Sequence, residues 1–363
     1  MKGFYIHIPF CKVKCLYCDF YKIIPKSSFE IDNFLRVLSM EIHENSCYYN
    51  TIFIGGGTPN ILDRNKLIEL FEVIVKNIKL YENYEWTIEL NPELVNLDNL
   101  VIFKDYGINR LSLGIQSLDD YELKFMGRLH RKRDVFKKID LIERLGFENV
   151  NVDIIFGGYF QDVGKFRKTL YEIVNFPITH ISTYLLTIED GTPFKKLNIK
   201  LKDEDTIEEM FKMKEEILYE HGFYRYEISN YAKKGFQCKH NLIYWKRESY
   251  IGVGPSAASF IKPNIRYKNV ENLGLYLEDY KKYREYEFLN DEQILLEKIY
   301  LSLRLDEGLE LQDISIVSDL TEFFNIYGNR IKPNIKGIMV LDRLAIEIFQ
   351  RINSRETLKL SSL

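Results

Sequence analysis

No apolar run in this chain approaches the ~20 residues that a membrane-spanning helix needs. Nor does the start, Met1-Lys2-Gly3, carry a signal-peptide h-region or cleavage site; it passes straight into an apolar strand pattern. A strong charge of either sign is also missing: the formal net charge is −3, which gives no support to a nucleic-acid or polyanion partner. Tryptophan is scarce, with 2 residues, and proline is limited to 9. The cysteines number five, an odd count that a fully paired disulfide framework would not use, and three of them fall between positions 11 and 18. In a reducing compartment such a grouping suggests metal or cluster binding. The chain therefore reads as cytosolic. What it does have is the balance of a well-cored globular protein, 46% hydrophobic and 28% charged.

Over roughly the first 220 residues one unit recurs: short apolar strand, motif-bearing loop, amphipathic helix. Strands are expected at Phe4–Ile8, Thr51–Ile54, Trp86–Leu90, Arg110–Gly114, Asn151–Ile155 and His180–Leu186. Helices are expected at Ile31–Ile42, Asn65–Val75, Arg133–Leu145 and Asp203–Tyr219. Gly107, Gly146 and Gly222 each precede an apolar residue where a helix should stop in the left-handed conformation. Strands alternating with helices imply βα units and a parallel α/β sheet, closed as an open barrel or doubly wound. Residues 1–222 form this unit, 223–285 an aromatic- and Gly-rich extension, and 286–363 a small α+β domain. Within these, Asn264–Asn272 reads as a polar linker, Leu295–Leu305 as a helix and Ser354–Leu363 as a frayed tail.

The strongest chemical signal is Cys11-Lys12-Val13-Lys14-Cys15-Leu16-Tyr17-Cys18, a C-x3-C-x2-C loop just after a strand. Three thiolates can each take one iron of a cubane and leave the fourth iron without a protein ligand. That iron can be chelated by the amino and carboxylate groups of a small molecule, whose C–S bond the cluster can break by electron transfer. The competing reading is a structural zinc site, which wants four ligands. His7 could complete it, although a strand residue four positions before Cys11 is an awkward partner.

Further polar residues close successive strands. Glu89 lies in Glu89-Leu90-Asn91-Pro92, Gln116 in Leu113-Gly114-Ile115-Gln116-Ser117, and Asp153 in Asn151-Val152-Asp153-Ile154-Ile155. Arg128 sits in Met126-Gly127-Arg128-Leu129-His130. Singly each is an ordinary structural polar residue. Jointly they follow the barrel rule that sites are built at the carboxyl ends of strands. Gly55-Gly56-Gly57-Thr58-Pro59 after the second strand lets backbone approach a ligand closely. The basic run Arg128–Arg133 reads as a solvated helix start with Arg128 turned inward. Ile207, Met210, Phe211, Ile217 and Leu218 read as a core stripe.

C-x3-C-x2-C after a first barrel strand resembles the radical SAM superfamily. The longer string Y-x-H-x-P-F-C-x3-C-x-Y-C-D-F resembles its coproporphyrinogen-dehydrogenase (HemN/HemW-like) branch, from Tyr5 to about Leu311. The resemblance implies a partial (β/α)6 TIM-type barrel with a small α+β C-terminal domain. It implies a 4Fe–4S cluster on Cys11, Cys15 and Cys18, with S-adenosylmethionine (SAM) beside it. Tyr5, Gly56, Gly57, Thr58, Glu89, Gln116, Arg128 and Asp153 match the family's SAM-contacting positions.

His240-Asn241-Leu242-Ile243-Tyr244-Trp245 resembles the H-N-x-x-Y-W string of the haem-chaperone subgroup, as does Tyr226-Glu227-Ile228-Ser229-Asn230-Tyr231-Ala232. A loop histidine flanked by aromatics suits a haem iron, and His240 is the haem residue that the resemblance implies. The rival within the branch is the oxygen-independent coproporphyrinogen III oxidase, an enzyme. The oxidases carry a further Cys where this chain has Phe20, and a sizeable segment ahead of the position of Tyr5. A radical SAM methyltransferase or ring-opening haem degrader on the same scaffold is a third class. Two departures from the family pattern stand out. Phe156-Gly157-Gly158-Tyr159-Phe160-Gln161 lacks the proline of G-x-P-G-Q, and Ala258 replaces a His, removing a second axial ligand there. The implied partners are haem, an unidentified haem-acceptor protein and an electron donor for the cluster. A homodimer is left open, and Cys47 has no assignable role.

Overall fold

The computed structural model describes residues 1–360, with side chains to Ser354. Six parallel strands form its centre: β1 (Lys2–Ile8), β2 (Tyr48–Gly56), β3 (Lys79–Leu90), β4 (Arg110–Gln116), β5 (Asn149–Phe156) and β6 (His180–Leu185). β1 to β5 each contain the apolar run expected from sequence, lengthened at one or both ends, and β6 ends one residue short of its expected run, at Leu185. The intervening helices are α1 (Ser28–Glu44), α2 (Arg64–Asn77), α3 (Leu97–Asp105), α4 (Asp120–Phe125), α5 (Lys132–Arg144), α6 (Val163–Ile173), α7 (Pro193–Lys196) and α8 (Glu204–Glu220).

Side-chain caps fix the helix starts. Ser27 accepts from Glu30 N, Asp63 from Asn65 N and Lys66 N, and Asp203 from Thr206 N, satisfying amides that lack intrahelical partners. Gly107, Gly146 and Gly222 all have positive φ, as helix stops of this kind require. The α8 stripe of Ile207, Met210, Phe211, Ile217 and Leu218 is buried as core.

The sheet settles the choice between barrel and doubly wound forms. Strands β1 to β6 pair in sequential parallel order, and side chains from all six line a single internal cavity. A doubly wound sheet reverses its order at a switch point; this one does not. The result is a curved, open (β/α)6 barrel.

Residues 223–285, the aromatic- and Gly-rich extension, continue the main sheet at both of its edges. β7 (Tyr224–Arg225) and β8 (Asn230–Ala232) extend the β6 edge, and α9 (Lys239–Trp245) follows. β9 (Ser249–Val253) then pairs parallel to β1, and β10 (Ala258–Ile261), β11 (Ile265–Lys268) and β12 (Glu285–Phe288) continue outward from it. The expected linker at Asn264–Asn272 contains a strand, β11, whose Arg266 and Lys268 give it a polar, loop-like composition. α10 (Leu273–Asp279) packs against α1.

Beyond it, α11 (Asp291–Arg304), β13 (Leu309–Glu310), β14 (Phe324–Tyr327), β15 (Arg330–Pro333), α12 (Ile335–Met339) and α13 (Leu341–Leu360) make the small α+β unit. It has its own three-stranded sheet and its own core, including Ile299, Leu303, Val317, Ile331, Leu344 and Ile348. The tail expected from Ser354 is helical to Leu360, and residues 361–363 lie outside the described residues.

Candidate functional site

Strand side chains alternate between faces, and in this barrel the inward face is polar. β3 presents Glu85, Thr87 and Glu89; β4 presents Arg110, Ser112 and Gln116; β5 presents Asn151 and Asp153; β6 presents His180 and Ser182. Barrel interiors are more usually filled with branched apolar residues. Here Glu89, Arg110, Ser112, Gln116, Asn151, Asp153 and Ser182 instead line a cavity of about 500 Å³, within the usual range for small-molecule sites. Tyr5, Cys11, Cys15, Cys18, Gly56, Gly57, Thr58, Glu89, Gln116, Arg128, Asp153 and His240 all line it. The structure thus gathers the expected cluster, SAM and haem residues around one space.

The three cysteines are free thiols on the loop after β1. Among the described residues no three His, Cys, Asp or Glu side chains converge on one point, as a single zinc ion would require. A cubane takes one thiolate per iron and needs only that the thiols face a common space, which these do. Cys11 Sγ lies 3.3 Å from Thr58 Oγ1, and Arg128 Nη1 donates to Cys15 Sγ at 3.5 Å. Lys22 Nζ donates to the carbonyls of Cys18 and Phe20. Burial pushes the Cys11 and Cys18 thiols up, opposed by Thr58 at the first and Lys22 at the second.

The glycine loop fits against the cysteine loop without room for side chains. A Cβ on Gly57 would lie 2.7 Å from the Phe10 carbonyl oxygen and 2.9 Å from that of Ile8. Gly56 has φ +105, and its amide donates to Glu89 Oε2 at 3.1 Å. Glu89 is held protonated to about pH 8 by burial, with Asp153 nearby adding repulsion. The Asp153 carboxyl is likewise raised by burial; it accepts from Ser112 at 3.2 Å and Asn151 at 2.8 Å. Gln116 ends β4 with φ 63, a conformation that non-glycine residues adopt mainly where surroundings impose it. Arg128 donates from Nη2 to Asn91 Oδ1 and the Gly114 carbonyl, at 2.8 and 2.7 Å.

These groups suit the polar ends of SAM. Carboxyls can accept from an ammonium or ribose hydroxyls, and an arginine can fork onto a carboxylate. Among the described residues the buried Nε atoms of Arg110 and Arg128 have no partner, so the cavity retains unused donors. When bound, the cluster and SAM supply one-electron cleavage of a C–S bond. The protein's own groups position and desolvate.

Sequence reading missed several cavity residues. Asn91 links Thr58 Oγ1, to which it donates at 2.9 Å, with Arg128. Arg110, Ser112, Asn151, Ser182 and Tyr184 also line the space. The available signal was polar residues at every second position of otherwise apolar strands.

His240 differs from expectation. It lies in helix α9, not a loop, and its side chain is fully buried. Nδ1 shares a 2.6 Å hydrogen bond with Thr51 Oγ1 and Nε2 one of 2.7 Å with Tyr244 Oη. Its backbone N–H donates to Glu85 Oε1 at 3.0 Å, and its ring stacks on Phe53. Both ring nitrogens are engaged, so binding iron would require breaking one of these bonds. Burial lowers its pKa to about 3, below the unfolded value of about 6.5. Neutral His240 thus favours the folded state above pH 6.5, and that contribution is lost as pH falls toward 3. We expect the stability advantage of the wild type over His240→Gln to shrink below pH 6.5 by about 1.4 kcal/mol per pH unit. Urea denaturation of both cluster-free proteins at stepped pH measures this; a pH-independent difference would refute a neutral buried imidazole.

Such a barrel, with cysteines on its first loop and SAM-like polarity at its strand ends, defines a radical SAM protein, and the model of the radical SAM superfamily matches residues 5–172. The chain is 34% identical to the heme chaperone HemW of Bacillus subtilis, over 85% of both chains. It is 35% identical to the heme chaperone HemW of Escherichia coli, over 70% of this chain and 68% of that one. It belongs to the HemN/HemW-like family of radical SAM proteins. Coproporphyrinogen III oxidase (HemN) of E. coli shares the fold, with a TM-score of 0.80 at 20% identity over 96% of this chain and 89% of that one. No helix among the described residues is long and apolar enough to cross a membrane.

Proposed function

We propose that this chain is a haem chaperone of the HemW type. It holds a 4Fe–4S cluster on Cys11, Cys15 and Cys18, with exchangeable SAM against Tyr5, Gly56–Thr58, Glu89, Gln116, Arg128 and Asp153. It binds haem and passes it to an acceptor protein in the cytosol, and an electron donor serves the cluster. The observation that carries this reading is similarity over 85% of both chains to a heme chaperone, joined to a cavity lined by every expected cofactor residue. Phe20 supports it further. It is 61% exposed and lines the mouth of the same cavity, in the place where the oxidase pattern has another cysteine.

One anaerobically reconstituted preparation tests the proposal three ways. We expect iron and sulfide at cubane stoichiometry, a Soret shift on haem titration, and no protoporphyrinogen from coproporphyrinogen III with SAM and reductant. Turnover of coproporphyrinogen would replace the chaperone reading with the oxidase.

A further inference from the structure

At the floor of the barrel, away from the cysteine loops, one charged side chain has no counterpart. Arg110 starts β4, points inward and is only 2% exposed. Among the described residues its guanidinium makes no hydrogen bond or ion pair, and its Nε is a fully buried donor. A buried guanidinium costs free energy unless acceptors meet its N–H groups. Thr87, its register partner on β3, has a buried hydroxyl that is likewise unpartnered.

The polar groups around Arg110 are committed to one another. Asn151 Nδ2 donates to Ser112 Oγ at 2.8 Å, and Ser182 Oγ donates to Asn151 Oδ1 at 3.1 Å. Asp153 accepts from Ser112 and Asn151. Glu85 accepts from the amides of Lys239 and His240, both at 3.0 Å, and from the Cys238 thiol. These two carboxylates act on Arg110 across space without pairing with it. Arg110, Ser112, Asn151 and Ser182 line the first cavity and not the second one beside it. Of the other acids in that lining, Asp19 and Glu189 are exposed on loops that follow β1 and β6, and burial holds Glu89 protonated to about pH 8. The floor therefore turns a fixed positive charge, with forked donors, toward the cavity.

We propose that Arg110 anchors a second small-molecule ligand, a monocarboxylate seated on the barrel floor beneath the SAM groups. A guanidinium meets a carboxylate through two parallel hydrogen bonds. One fixed cation balances one negative charge, which favours a carboxylate over a phosphate dianion. The carboxylate of SAM is a poor occupant, because it serves at the cluster iron beside the cysteine loops. Those loops lie at the other end of the strands, and Arg110 precedes Gln116 by six residues of β4, roughly 20 Å of strand. The body of the ligand then points up the barrel toward the SAM groups, among Phe53, Ile155 and Tyr244. This site goes beyond haem handling and does not depend on it.

Equilibrium dialysis of labelled butyrate, a carboxylate with a short apolar body, against reconstituted, SAM-saturated protein tests the site. Butyramide is the uncharged control. Wild type should retain butyrate at millimolar concentration and prefer it to butyramide by about tenfold or more, the gain from a charge-assisted pair. Arg110→Met should lose that preference while iron content and SAM affinity stay at wild-type values. Arg110→Lys keeps the charge without the fork and should fall between the two. The urea midpoint of cluster-free Arg110→Met should equal or exceed that of wild type, because an apolar side chain replaces an unpaired buried charge. A lower midpoint would assign the guanidinium to the fold and overturn the proposal. Equal loss of SAM and butyrate in Arg110→Met would overturn it by assigning the residue to SAM. Wild type that takes up neither compound, or both alike, would overturn it by leaving only water on the floor.

Discussion

Cys15→Ala should yield a folded protein that holds no 4Fe–4S cluster under anaerobic reconstitution. With two thiolates left, the cubane loses a third of its protein ligation, and no cysteine besides Cys11, Cys15 and Cys18 lines the cavity. Serine would be a poor one, because iron–sulfur clusters are held by thiolate. The loop itself should persist, since its path is set elsewhere. Leu16 N donates to the Met126 carbonyl at 3.0 Å, Phe194 N donates to the Leu16 carbonyl at 3.1 Å, and Cys11 N donates to the Ile23 carbonyl at 2.9 Å. Circular dichroism should therefore match wild type while bound iron falls to background. Cys47→Ala and Cys238→Ala are the controls. Cys47 is exposed, and Cys238 is buried against Glu85, to which its thiol donates. Both variants should keep full iron. A Cys15→Ala protein with normal iron would refute the cluster assignment.

Glu41→Ala should cost about 3–5 kcal/mol of stability, the loss expected when a buried charge pair is broken from one side. Glu41 lies on α1 with no exposed surface. Its carboxylate accepts from Arg284 Nη2 at 2.7 Å, Tyr276 Oη at 2.6 Å, Gly254 N at 2.8 Å and Asn269 Nδ2 at 2.8 Å. One side chain thereby ties four points of the 254–284 segment to the barrel. Alanine leaves Arg284 without its carboxylate and three other donors unsatisfied. Glu41→Gln, which keeps acceptor oxygen but no charge, should cost less. Urea midpoints and slopes of the cluster-free proteins measure both. A change in Glu41→Ala under about 1 kcal/mol, within the range of an exposed pair, would show that the segment is held by other means. The same loss should loosen the second cavity, because Ser256, Ala258 and Lys268 all belong to the anchored segment.

The βα repeat was legible because each strand keeps apolar residues on its helix-facing side and each helix stop at Gly107, Gly146 and Gly222 takes a positive φ. Cys11–Cys18 and Gly55–Pro59 were legible because loops that touch ligands use residue types that packing alone would not choose. The extension was not legible. β9 pairs with β1 across more than two hundred residues of sequence, and a strand of five residues carries no record of so distant a partner. The linker reading of Asn264–Asn272 failed for a related reason: on an outer strand, charge is compatible with pairing, and Arg266 turns its charge to Glu287 and Glu297. His240 was misplaced because composition does not report burial. Its flanking aromatics suggested an open stacking surface, and Thr51, Phe53 and Glu85 are supplied by strands far away in sequence.

The second cavity, of about 460 Å³, adjoins the first, and the wall formed by Tyr5, Asp19, Phe20, Gly56, Glu89 and Tyr244 belongs to both. Two occupants resting on one wall have a joint free energy that need not equal the sum of their separate ones. Whatever factor an occupant of one cavity imposes on the affinity of the other, it receives in return, because binding free energies are reciprocal.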